Sequence, residues 1–378
     1  MGQGIDFLLD FIDEKYLKEY VKDGGSKIKF ITGRYGSGKS YFLEQLNKRA
    51  TADNYLLVSL DSRKAPLYDF RSIYLEILSR VDLEGCLGLC ARQIIRSMDY
   101  DPEAIPSGKN FAEYLSSRNE ANIINMAAIR TGLKEMFLDN PYLDRSFAQG
   151  CALLCAGLLG YPSLDASSRN IILGWMQGNK DIKIAMVKAL GISASPINKT
   201  NARHLLRSLS EIVHLSGYSG LFVSIDNLDY IQEKFGEEVK YTKLRRDDTY
   251  EIIRELIDDI DSLAHVMFVF AFDKELIDNE KSGFKSYQAL WMRIQNEIRS
   301  KRFNRFADIC DLDELARQEY DEEYLLKMAK MFMEEGRNYQ FYPLPDKETL
   351  AKLKEDSAYA TIGLPLYLKE KLLQEETQ

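Results

Sequence analysis

One stretch of eight residues, Gly33-Arg34-Tyr35-Gly36-Ser37-Gly38-Lys39-Ser40, combines three glycines with a lysine and a hydroxyl at fixed distances. It fits the pattern G-x-x-x-x-G-K-[ST] at every fixed position, which is the Walker A phosphate loop. Glycines serve that chemistry because the backbone must curl tightly and carry its N–H groups up to phosphate oxygens with no Cβ in the way. Lys39 is expected to reach the β- and γ-phosphates and Ser40 to coordinate magnesium. Gly33, Arg34, Tyr35, Gly36, Ser37 and Gly38 would complete the nucleotide-binding loop. A glycine-rich loop can also be a plain turn; the full pattern between a strand and a helix favours the phosphate reading.

A second acid must hold the metal from elsewhere in the chain. Asp226 closes the apolar run GLFVSI and gives the strand-then-aspartate arrangement of a Walker B, with its carboxylate on the magnesium water shell. Many such sites have glutamate next, to orient the attacking water, but here Asn227 follows, and an amide cannot accept a proton. Asp229 is the nearest acid that could substitute, or else it caps the segment after it. Asp273, at the end of FAFD, is a candidate γ-phosphate sensor, or a helix cap for residues 274–279. Arg293, Arg299, Arg302 and Arg305 could each supply an arginine finger to a neighbouring subunit, or simply lie on a solvated helix face. The run RSKRFNRF, with Arg299, Lys301, Arg302 and Arg305, interleaves bases with aromatics and could touch single-stranded DNA by charge and stacking.

The elements that would position these residues are legible as apolar runs. Residues 27–32 (KIKFIT) and 55–60 (YLLVSL) read as strands, with helices over 40–50 and 69–80. Residues 220–225, 266–272 and, more weakly, 306–310 read as three further strands. Runs nearly all apolar, rather than alternating, suit a parallel sheet covered on both faces. Between the second and third strands, residues 83–215 show only helical spacing, broken at Pro102, Pro106, Pro141, Pro162 and Pro196. The expected fold is an α/β P-loop NTPase of RecA/AAA-like type, a parallel-sheet core with a large helical insertion and a carboxy-terminal helical lid. Its segments would be 1–82 and 216–313 for the core, 83–215 for the insertion and 314–378 for the lid.

Composition narrows the class. The chain has 378 residues and 45% hydrophobic content, enough to bury a substantial core. No apolar stretch approaches the length needed to span a bilayer, and the amino terminus lacks a basic region before an apolar one, so a cytoplasmic location is expected. A net charge of -8 argues against general coating of nucleic acid. Cys86 and Cys90, and Cys151 and Cys155, have a spacing that would place each pair on one helix face, yet their apolar neighbours favour buried packing over metal.

Taken together, FITGRYGSGKSYFLEQL, IYLEIL, LGWMQGN, NARHLLRSLSEIVHLSGYSGLFVSIDN and SYQALWMRI resemble the ATP-binding P-loop proteins of bacterial BREX-type phage-resistance systems. The resemblance implies an AAA-like ATPase with ATP and magnesium as cofactors. It also implies protein partners from a defence or DNA-processing operon, a helicase among the candidates. By motif it assigns Gly33, Gly38, Lys39 and Ser40 to nucleotide and Asp226 to magnesium, while Asn227 departs from the family's usual acid and leaves hydrolysis open. Gly363-Leu364-Pro365 is similar to the G-x-P lid motif of initiator-related ATPases, or is an ordinary loop before a final helix. Three functions remain: a nucleotide-dependent switch or motor, an ATP-bound scaffold that does not hydrolyse, and a P-loop kinase. Guanine reading is not supported, because Asn198-Lys199-Thr200 lacks the aspartate of a base-reading N-K-x-D motif. A finger offered in trans would imply a homo-oligomer.

Overall fold

The computed structural model describes residues 4–232, 240–295, 303–335 and 343–374. The chain begins with helix α1, Ile5–Ile12, which runs on through Asp13–Val21. Its buried residues Ile5, Leu8, Leu9 and Ile12 recur at helical spacing, so one face is apolar. Strand β1 (Ser26–Gly33) then leads through the glycine loop into helix α2 (Lys39–Ala52), and β2 (Tyr55–Asp61) leads to helix α3 (Phe70–Leu78). After the insertion come β3 (Gly220–Asp226), β4 (Val266–Asp273) and the short β5 (Ile309–Asp311).

These five strands form one parallel sheet in the order β2-β3-β4-β1-β5. The register sets Gly33 beside Asp273 and Asp61 beside Asp226, so the strand exits share one edge. Alternate residues along each strand feed two cores. Ile28, Phe30, Val223, Ile225, Phe268 and Phe270 face α3, the insertion and the helix Lys243–Asp258. Ile31, Phe222, Met267, Val269 and Ala271 face α1, α2 and the carboxy-terminal helices. Both faces are covered, which explains why β3 and β4 lack polar alternation.

Residues 83–215 are helical throughout, with breaks near the prolines, and their last helix, Lys199–Leu215, feeds straight into β3. The insertion shares one continuous apolar core with its face of the sheet, through Cys86, Cys90, Cys151 and Cys155 among others. Burial holds the Cys86 thiol above its usual range and pushes Cys90 up to about 12. Among the described residues no cluster of three His, Cys, Asp or Glu could hold a metal ion, and no helix is long and apolar enough to cross a membrane.

The fifth strand departs from the sequence expectation of 306–310. Phe306 is 62% exposed, and the ladder starts only at Ile309. The segment before it is held differently: Lys29, fully buried on β1, donates its ammonium to the carbonyls of Arg305, Phe306 and Ala307 at 3.3, 3.0 and 2.5 Å. Those bonds take carbonyls that a longer strand would need for pairing.

Candidate functional site

All five strands leave the sheet at the same edge, and four of them end in aspartate: Asp61, Asp226, Asp273 and Asp311. β1 ends instead in Gly33, where the glycine loop begins. Gly36 and Gly38 hold φ of 76° and 92°, left-handed values that favour glycine, and the turn they make aims the start of α2 back across the edge. The first N–H groups of α2 have no partner within the helix and carry its positive end. The Ser37 hydroxyl is buried in this turn with no partner among the described residues, a donor available to an oxyanion.

Lys39 donates to the carbonyls of Gly33 and Arg34 at 2.8 and 3.0 Å and sits 3.3 Å from an Asp273 carboxylate oxygen. Its ammonium is thus held over the loop, pointing to the edge. The Ser40 hydroxyl donates to Asp226 Oδ2 at 3.1 Å, joining residues 186 positions apart in sequence. Asp226 Oδ1 accepts the N–H of Asn227 at 2.8 Å.

Asp229 joins two strand exits. Its carboxylate accepts the N–H of Asp273 at 2.8 Å, bracketing the exits of β3 and β4, and burial pushes its carboxyl above the usual range. It does not cap a following helix; it lies inside the short turn Leu228–Gln232. Asp273 presents one oxygen to Lys39, and its other oxygen accepts the N–H of Glu275 at 3.1 Å, just ahead of the helix Glu275–Asp278.

Three polar residues at this edge were not singled out from the sequence. Asp61 accepts the amide of Asn227 at 3.3 Å and pairs with Arg63 at 2.6 Å. Burial raises its carboxyl, but the bonds from Arg63 outweigh that and hold it below the usual range. Lys274 pairs with Asp311 at 2.6 Å. Asp313, nearly buried, accepts both the backbone N–H and the guanidinium of Arg34, at 2.8 and 3.2 Å.

Arg34 therefore turns away from the loop's concave side and into the carboxy-terminal helices, where it also donates to the carbonyls of Ser357, at 3.1 Å, and Ala360. The 363–365 segment rests on the loop directly. Gly363 N–H donates to the Tyr35 carbonyl at 2.8 Å and Leu366 N–H to Gly36 at 3.2 Å. A Cβ on Gly363 would lie 2.4 Å from Ser37 Cα, so only glycine permits this approach. The segment leads into a final helix, Leu364–Gln374.

Beside the loop lies a cavity of about 300 Å³, lined by Ile5, Tyr41, Tyr320, Tyr324, Phe332 and Pro365, with Ser37 and Gly38 at its floor. Such a slot between α1, α2 and the carboxy-terminal helices suits a flat aromatic ring. A larger cavity, about 620 Å³, lies between the helices Lys199–Leu215 and Lys243–Asp258. None of its lining residues belongs to a strand exit, so size alone does not make it the site.

The model of one protein family, BREX system ATP-binding protein BrxC/D, matches residues 14–358. The chain belongs to this family. No curated protein and no solved structure matches it.

Membership in the BrxC/D family implies the use of ATP within a phage-defence system. The residues at the strand edge fit the groups this needs: N–H donors and a lysine for phosphate oxygens, and the Ser40 hydroxyl and Asp226 carboxylate, both hard oxygen donors, for magnesium. Of the arginines expected as fingers or DNA contacts, Arg299 and Arg302, with Lys301, lie outside the described residues. Arg293 pairs with Asp258 at 2.5 Å. Arg305 packs its guanidinium over the rings of Phe7 and Phe11, at 5.2 and 4.8 Å, just before β5 enters the sheet. That places Arg305 at the strand entries, opposite the glycine loop.

Proposed function

We propose that this BrxC/D protein is a magnesium-dependent, ATP-hydrolysing switch or motor of the AAA-like P-loop type, acting with protein or DNA partners of its defence operon. The observation that carries the reading is the 3.1 Å contact between Ser40 and Asp226, which joins a Walker A hydroxyl to a Walker B carboxylate across one intervening strand. In this reading Gly33, Gly36, Ser37 and Gly38 cradle the phosphates, and Lys39 leaves the loop carbonyls for the β- and γ-oxygens. Bound magnesium would neutralise phosphate charge between Ser40 and Asp226. Asp273, already facing Lys39, would sense the γ-phosphate, and the aromatic slot would take adenine.

The switching element is the lid, segment 314–378, fastened to the loop by Arg34, Tyr35 and Gly36. Any shift of the loop upon nucleotide binding is felt by Gly363 and Leu366 at once, because those bonds run between backbones. The core segments 1–82 and 216–313 would transmit the change to the 83–215 insertion through the helix that enters β3. A second reading, a scaffold that holds ATP without hydrolysing it, is favoured by Asn227 alone. Turnover by the purified protein with magnesium, with and without single- and double-stranded DNA, separates the two. The switch predicts turnover absent from Lys39→Ala, and a DNA partner predicts its stimulation; tight ATP binding without turnover in any condition would leave the scaffold.

A further inference from the structure

The strand exits pose a chemical problem: if ATP is hydrolysed here, the residue after Asp226 is an amide, and the nearest acid downstream, Asp229, is turned to the β4 exit, where it accepts the Asp273 N–H. We infer that Asp61, at the end of β2, is the carboxylate that orients the attacking water, and that Asn227 is its positioning residue. This rests on the ATPase reading above.

Asp61 lies beside Asp226 in the β2–β3 register, and adjacent strands are spaced by about 4.8 Å, so its backbone stands one strand-width from that of the residue Ser40 contacts, with both side chains on the same face. The spacing is fixed by backbone. Ser62, fully buried, donates both its N–H and its hydroxyl to the Asp226 carbonyl, at 3.1 and 3.0 Å, so the exits of β2 and β3 cannot slide past each other. Asn227 adopts φ of 57°, a left-handed value that asparagine tolerates better than most residues. That turn sends its Nδ2 to Asp61 Oδ1 rather than out to solvent. An amide that cannot take a proton is useful here as a donor that fixes the acid beside it.

Asp61 also stays accessible. Its side chain is 26% exposed, and the paired Arg63 keeps it ionised and therefore able to accept a hydrogen bond from water. In the reaction, the water oxygen bonds to the γ-phosphorus as the bond from that phosphorus to the β–γ bridging oxygen breaks. The bridging oxygen leaves on ADP with the electron pair. The water proton passes by way of the Asp61 carboxylate to the released phosphate, so ATP and water become ADP and phosphate. Phosphoryl transfer through a loose transition state needs the water held in line more than it needs early deprotonation, a task a weakly basic carboxylate can perform.

The competing reading is that Asp61 and Arg63 merely brace the β2 exit. The full chain with magnesium distinguishes these through Asp61→Asn, nearly isosteric and on the surface, and Asn227→Gly, which suits the positive φ. Three quantities are read: ATP affinity, single-turnover rate, and affinity for ADP with aluminium fluoride as a transition-state mimic. The inference predicts that Asp61→Asn keeps ATP affinity within about threefold while the rate falls on the order of a hundredfold or more and the mimic loses affinity in step. Asn227→Gly should lower the rate by about tenfold with ATP affinity kept. Wild-type rate in Asp61→Asn would overturn it, as would equal losses of ATP affinity and rate in that variant. A wild-type protein that binds ATP but never turns it over would also overturn it while leaving the nucleotide site intact. Failure of the nucleotide reading itself would appear separately, as undiminished ATP binding by Lys39→Ala.

Discussion

At the scale of single residues, the strand edge holds its charges in pairs that a nucleotide would have to exchange. Lys39 spends its donors on two loop carbonyls and Asp273, and Ser40 spends its hydroxyl on Asp226. A triphosphate carries more negative charge than the single Asp273 carboxylate that Lys39 faces, and magnesium takes hard oxygen donors such as Ser40 and Asp226, so the same atoms can exchange partners. The metal contribution can be isolated. Ser40→Ala and Asp226→Asn should each weaken ATP binding by about tenfold or more in magnesium, since losing a contact to a charge costs about 1.5–3 kcal/mol. In chelator the variants should match the wild type, and titration of a fluorescent ATP analogue under both conditions checks this.

At the scale of elements, α1 with its continuation packs against α2 and the start of β2, and a carboxylate pair lies in that seam. Asp53 is pushed up to about 6, first by burial and then by the hydrogen-bonded Asp13 carboxylate. A folded-state pKa above the unfolded value means the native form binds the proton more tightly, so this group's stabilising contribution is present at low pH and is lost as pH rises through about 6. Asp53→Asn removes that loss. Its stability gain in urea unfolding should therefore be greater at pH 8 than at pH 5, by on the order of 1 kcal/mol. An equal effect at both values would mean the pair does not share a proton.

The elements also explain what could be read from the sequence. β1 to β4 were legible within a residue or so because strands buried on both faces are written as unbroken apolar runs, as in VMFVFAF. The loop was legible because its chemistry fixes four positions locally. α1 went unread as a structural element, although Ile5, Leu8, Leu9 and Ile12 carry a helical period that could have found it. β5 was misplaced because Phe306 and Ala307 look like strand residues until Lys29, far away in sequence, claims their carbonyls and that of Arg305. Asp61, Lys274 and Asp313 left no signal: each is one polar residue at an element's end, and its partner is set by the fold.

At the scale of the whole molecule, two halves of the core separated by a 133-residue stretch, 83–215, rejoin so that β3 inserts between β2 and β4. The insertion therefore cannot move far without disturbing the strand that carries Asp226, and the lid cannot lift without breaking backbone bonds to the glycine loop. The insertion, the carboxy-terminal helices and the strand exits are mechanically one system. The direct test of that account is the equilibrium ATP affinity of the full chain in magnesium, wild type against Lys39→Ala. The account predicts saturable binding that falls by about a hundredfold or more in the variant, the loss of a lysine paired to two phosphates. Equal affinity in both proteins would place ATP elsewhere and contradict it.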